Sequence, residues 1–180
     1  ISILIFFFFF TVVLVYFSKS TISQTYTGIV AWWHFTGNYD DSSGNDLDGS
    51  PSIFGSDVTD SYLILDGTQG YVRVPHDDML SFGDGSDDSP FSIATWVSMD
   101  IIERDGIVSK HLGNSISFDD TEYTFYIQNS GQVAFTLCDN SFGNNTSVGA
   151  YTTNTIFDTQ NEWNFVVVTY DGIGGSGVHD

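Results

Sequence analysis

Short runs in which apolar and polar residues alternate, separated by clusters of Gly, Asp, Asn and Ser, constrain this chain more than any other feature. Phe91-Ser92-Ile93-Ala94-Thr95-Trp96-Val97-Ser98-Met99 sets Phe91, Ile93, Val97 and Met99 on one face of an extended strand. Tyr123, Phe125 and Ile127 alternate with Thr124, Tyr126 and Gln128, and Val133, Phe135 and Leu137 with Ala134, Thr136 and Cys138. A helix needs apolar residues every three or four positions, and from Gly28 onward no such period is sustained. Phe165 to Tyr170 is apolar on both faces, which predicts a central strand. Trp96 and Trp163 lie in strand patterns and are expected in the core, each indole N–H bonded to a carbonyl. Val30 to Phe35, Tyr62 to Leu65 and Tyr71 to Val74 are shorter strand candidates. Between the runs lie Asp41-Ser42-Ser43-Gly44-Asn45, Asp66-Gly67, Asn129-Ser130-Gly131-Gln132 and Asp171-Gly172, residues that supply turn geometry. Asn129 to Gln132 is predicted to close a hairpin. The pattern as a whole predicts an all-β fold of two packed antiparallel sheets.

The charge balance limits the partners. Four Lys and Arg face 23 Asp and Glu, a formal net charge of −19 over 180 residues. Binding to a phosphate backbone needs clustered cations, and Lys19, Arg73, Arg104 and Lys110 are scattered, which excludes nucleic acid. Such a surface suits divalent cations and neutral ligands. Cys138 is the only cysteine, so stability must come from core burial rather than from an internal disulfide.

Ile1 to Phe17 is almost continuously apolar, with five consecutive phenylalanines, and is followed by Ser18-Lys19-Ser20-Thr21. Residues 1–23 therefore read as a secretory signal peptide whose start is truncated, with Thr21-Ile22-Ser23 as the cleavage region. The competing reading is an uncleaved signal anchor, since the run approaches the roughly 17-residue minimum for a membrane span. Either way the expected location is secreted or cell surface, with membrane contact only through an uncleaved anchor. Asn144-Asn145-Thr146-Ser147 carries two overlapping glycosylation sequons.

Asp40, Asp41, Asn45, Asp46 and Asp48 crowd one glycine-containing loop, an oxygen-rich set of the kind that calcium prefers. A solvated turn is the alternative reading. On the opposite face of the strand from Tyr123, Phe125 and Ile127, Tyr126 and Gln128 offer an aromatic plane and an amide. Carbohydrate sites are built from such groups.

Five blocks in order resemble a known family. They are Ala31-Trp32-Trp33-His34-Phe35 with Asp41 to Gly49; Leu65-Asp66-Gly67 with Gly70 to Pro75; Phe91 to Val97; Gly106 to Lys110; and Glu162 to Gly172. Their order and spacing are similar to those of a laminin G-like domain of the concanavalin A-like lectin/glucanase superfamily. The resemblance implies an antiparallel two-sheet jelly-roll sandwich over residues 28–180, incomplete at its C-terminus because the family pattern continues past the Thr-Tyr-Asp-Gly block. It implies binding of carbohydrate or of an extracellular protein partner. It also implies a calcium ion near the early loop, which makes Asp41, Asn45 and Asp46 the expected metal ligands. Tyr126 and Gln128 are the expected ligand-binding residues.

The same superfamily contains glycoside hydrolases. Retaining hydrolysis needs two carboxylates about 5 Å apart, supplied in the jelly-roll glucanases by a Glu-x-Asp-x-x-Glu or Glu-x-Asp-x-Glu strand. The chain has three glutamates, Glu103, Glu122 and Glu162. Glu103-Arg104-Asp105 begins such a motif, but Ile107 and Val108 stand where the second Glu belongs. His34, His76, His111 and His179 accompany no Gly-x-Ser-x-Gly elbow. The expectation is a binding module without catalysis, the alternative being an accessory or divergent hydrolase whose catalytic part lies outside these residues.

Overall fold

A computed structural model describes residues 2–5, 28–83, 88–111, 121–139 and 146–173. Most of residues 1–23, read from the sequence as a signal segment, the Asn144-Asn145 positions of the sequons and residues 174–180 lie outside the described residues. The strands are β1 (Ser2–Ile5), β2 (Ser50–Pro51), β3 (Ser56–Val58), β4 (Leu63–Leu65), β5 (Val72–Arg73), β6 (Phe91–Ser98), β7 (Asp105–His111), β8 (Thr121–Ile127), β9 (Val133–Asp139), β10 (Thr146–Tyr151) and β11 (Asn164–Tyr170). Among the described residues the one helical element is a short 3₁₀ turn at Asp78–Leu80, capped by the Asp77 side chain. One sheet has the order β11-β6-β1-β4-β3, a second β10-β9-β8-β7, and β2 pairs with β5. Every pairing is antiparallel. The fold is the all-β arrangement of antiparallel sheets that the alternation predicts, consistent with the jelly-roll sandwich that the resemblance implies.

Period-2 alternation decides which residues fill the space between the sheets. Ile93, Val97 and Met99 from the β6 region and Val166 from β11 meet Tyr123, Phe125, Ile127, Val133 and Phe135 from β8 and β9, with Phe157 closing the cluster. A second cluster joins Ala31, Trp33, Phe35, Leu47 and Leu63. There the Trp33 indole Nε1 donates to the Leu47 carbonyl at 2.7 Å, giving the buried N–H its partner. The predicted hairpin between β8 and β9 forms, with Gly131 at φ +75° and its amide donating to the Gln128 carbonyl at 2.9 Å. A side chain at Gly131 would put Cβ only 2.1 Å from the Phe157 carbonyl oxygen, so glycine is required on both counts.

Three expectations need correction. Val30 to Phe35 alternates in burial but is not a strand among the described residues, where Trp33 to Asp41 is its one β-bridge. Phe165 to Tyr170 is an edge strand among the described residues, pairing with β6 alone, and Phe165 and Val167 are exposed. Trp96 and Trp163 read naturally as core residues, yet they are 38% and 39% exposed. Trp96 follows from the same alternation: Val97 faces the core, so its neighbour faces out.

Candidate functional site

Tyr126 and Gln128 are brought together with residues that the sequence alone does not connect to them. The buried residues of β8 are Thr121, Tyr123, Phe125 and Ile127, so Tyr126 lies on the outward face. Its cross-strand neighbours are Gly106 on β7 and Ala134 on β9, and beyond Ala134 comes the exposed Tyr151 on β10. Small residues on both sides leave Tyr126 standing above its neighbours. Arg104, in the segment before β7, lies over the Tyr126 ring with its guanidinium carbon 5.0 Å from the centroid, a cation–π arrangement. The Arg104 amide donates to the Asn129 side-chain oxygen at 2.8 Å, tying the two ends of the cleft together. Arg104, Tyr126, Gln128, Asn129 and Ser130 line an open cavity of about 300 Å³. The cleft therefore presents one aromatic plane ringed by guanidinium, amide and hydroxyl groups.

Ser61, Tyr62, Trp96 and Trp163 line a second, apolar cleft of about 380 Å³ on the outer face of the other sheet. Tyr62 meets Trp163 edge-on at 5.7 Å, and Trp96 contacts Phe165 at 5.2 Å.

In the acidic loop, the Asp41 carboxylate accepts from the Trp32 and Ser43 amides on Oδ1, at 2.8 and 2.9 Å. It accepts from the Ser43 hydroxyl and the Leu47 amide on Oδ2, at 2.6 and 3.2 Å. Partial burial would raise its pKa, but these hydrogen bonds outweigh that and hold the carboxyl below its ordinary value. A carboxylate has about four lone-pair sites, and all are taken. Asn45 turns its amide nitrogen to the Val30 carbonyl at 2.8 Å, and Asp46 is exposed in a left-handed conformation. Asp41 and Asn45 thus clasp the loop onto the segment 29–33, while Asp46 points to no partner within it. Among the described residues, no group of three or more His, Cys, Asp or Glu side chains converges as a metal ligand set.

Of the carboxylates and histidines considered for catalysis, Glu122, His76 and His111 lie in hydrogen-bonded contacts. Glu122 accepts from the Phe82 amide at 2.8 Å and the Ser81 hydroxyl at 3.0 Å, pinning the loop that precedes β6. Lys110, almost fully buried, lies 2.9 Å from His76 Nδ1 and donates to the Asp77 carbonyl at 3.1 Å. Burial lowers the Lys110 pKa, opposed by the nearby Glu122, Asp77 and Asp78. Ser109 Oγ is 2.6 Å from His111 Nε2, a contact that scattered histidines in the sequence do not suggest. Behind it, His111 Nδ1 faces the Thr121 hydroxyl at 3.0 Å rather than a carboxylate.

The arrangement of strands and blocks can be compared with known families. Residues 66–179, more than half of the chain, match the model of a laminin G-type family described as the concanavalin A-like lectin/glucanases superfamily. The chain belongs to that superfamily. No curated protein and no solved structure matches it. For a superfamily member, Leu65-Asp66-Gly67 takes the expected turn: Asp66 accepts from the amides of Thr68, Gln69 and Gly70, which holds its carboxyl far below the usual range.

Proposed function

We propose that this domain is an extracellular recognition module that binds neutral carbohydrate at the Tyr126 cleft and performs no catalysis. Domains of this superfamily commonly bind carbohydrate or proteins, which supports recognition in general. The observation that carries the finer reading is the composition of the cleft, where an aromatic ring is surrounded by Arg104, Gln128, Asn129 and Ser130. Sugar rings offer apolar C–H faces to an aromatic plane and hydroxyls to amide and guanidinium groups, and this cleft supplies both. The net charge of −19 disfavours acidic glycans by long-range repulsion. Against hydrolysis, Glu122 is committed to the Ser81–Phe82 loop, and Glu103 and Glu162 are exposed.

Calcium enters the proposal in a narrower form than the sequence suggests. Asp41 turns its carboxylate to the loop's own amides and hydroxyl, which makes Asn45 and Asp46 the more accessible of the three expected ligands. The test of the whole reading is binding of the purified domain to an array of neutral glycans alongside immobilised matrix proteins. Retention by neutral glycans supports it; retention by matrix proteins alone would replace it with protein recognition.

A further inference from the structure

Tyr126 shares its row across the four-stranded sheet with a second tyrosine. Tyr126 on β8 is directly opposed to Ala134 on β9, and Ala134 in turn to Tyr151 on β10. Directly opposed residues of antiparallel strands share a face, so both rings stand on the outward side with the Ala134 methyl between them. Neighbouring strands lie about 4.7–4.9 Å apart, which sets the two tyrosines about 10 Å from each other across the strands. That separation exceeds one sugar ring and lies within a short linear chain of them. Tyr151 is 66% exposed. The residue after it is held in place: the Thr152 amide donates to the Val133 carbonyl at 2.9 Å, and its hydroxyl accepts from the Val133 amide at 3.2 Å. Gln132 ties this end of β10 to the cleft, since its Oε1 accepts from the Ser130 hydroxyl at 2.8 Å and its Nε2 donates to the Thr152 carbonyl at 2.5 Å. Ser130 itself lines the Tyr126 cleft. In the next row along the strands Thr124 opposes Thr136, and Thr136 opposes Gly149, so no large side chain of that row stands beside the tyrosines.

We propose that Tyr151 is a second sugar-stacking position of the Tyr126 site, and that the ligand is a linear neutral glycan, at least a trisaccharide, laid across β8, β9 and β10 with its middle unit over Ala134. Arg104 reaches Tyr126 from the β7 side, away from β9, so it marks one end of the track and Tyr151 the other. The proposal rests on the carbohydrate reading of the Tyr126 cleft and adds to it the length of the ligand and the direction in which it runs. Two rings held at a fixed separation select for a chain that spans them, because a monosaccharide or disaccharide reaches only one.

Isothermal titration of the purified full chain with cello-, laminari- and manno-oligosaccharides, each from disaccharide to hexasaccharide, tests it. The readout is the gain in affinity from disaccharide to hexasaccharide in whichever series binds. In the wild type the gain should enter at the trisaccharide, the first length that reaches Tyr151, and amount to about two- to tenfold, the worth of one further ring contact. Tyr151→Ala should abolish that gain, and Tyr151→Phe, which keeps the ring, should retain it. Tyr151 is exposed on an outer strand of its sheet, so both variants keep the core, which matching melting temperatures check. A wild type that binds disaccharide and hexasaccharide equally overturns the proposal, as does a gain that survives in Tyr151→Ala. In either case glycan is still bound and the reading of the Tyr126 cleft stands, whereas binding of no series overturns both.

Discussion

Asp41→Asn keeps the size of the side chain while removing its charge and half of its acceptor capacity. The asparagine oxygen can still serve the Trp32 and Ser43 amides. Its NH₂ group then faces the Leu47 amide and the Ser43 hydroxyl, of which only the hydroxyl can turn to accept. Asp41→Ala loses all four contacts. Net hydrogen-bond contributions run about 0.5–1.5 kcal/mol each, more when one partner is charged. The loop is only partly buried, so water replaces some of the lost bonds and screens the charge, which argues for the low end. We therefore expect losses of about 1 kcal/mol for Asn and about 2 kcal/mol for Ala. For a domain of this size these correspond to drops of roughly 3 °C and 6 °C in Tm. The pH dependence follows from the direction of the shift. The folded-state pKa of Asp41 lies below its unfolded value, so its stabilisation is complete above an unfolded carboxylate pKa of about 3.9 and is lost as pH falls through the folded value. The gap between wild type and Asp41→Ala should be full at neutral pH and should close in strong acid. Differential scanning fluorimetry in EDTA, across that pH range, measures it. Variants that melt with the wild type at neutral pH, or a gap that does not narrow in acid, would refute the assignment of Asp41 as loop organiser.

Two further outcomes are expected. Phe125 is fully buried between the sheets, so Phe125→Ala should cost about 3–5 kcal/mol in urea denaturation, and a loss below about 1 kcal/mol would contradict the packed sandwich. Calcium should raise the Tm of the wild type, and Asp46→Gly, which keeps the left-handed backbone at that position accessible, should remove that rise with little change of the Tm in EDTA; no rise in the wild type rejects the ion.

The sandwich was legible because its inner faces obey one period. Phe91, Ile93, Val97 and Met99 announce β6, and Tyr123, Phe125 and Ile127 announce β8, before any contact is known. Tyr126 and Gln128 share a face by the same rule, so half of the cleft could be read directly. Arg104 could not: it reaches Tyr126 only because Asp105 pairs with Ile127, and strand register is a tertiary property. The partners of Glu122 are hidden from the sequence for a related reason, since Ser81 and Phe82 lie about forty residues earlier. Trp96 was misread where hydrophobicity and alternation disagreed, and alternation was right. The acidic loop shows a further limit. Composition finds oxygen-rich residues, but whether a carboxylate faces an ion or its own backbone depends on where neighbouring amides point. For Asp41 they point inward, from Trp32, Ser43 and Leu47.

The most direct test of the central claim is a comparison of wild type with Tyr126→Ala on an array of neutral glycans, with equal melting temperatures checked first. Tyr126 is outward and flanked by Gly106 and Ala134, so its loss should spare the core while removing the aromatic plane of the cleft. The account predicts that the wild type binds neutral glycans and that Tyr126→Ala loses about two- to tenfold in affinity, the range expected for one ring contact of about 0.5–1.5 kcal/mol. Unchanged glycan binding by a folded Tyr126→Ala variant would contradict it.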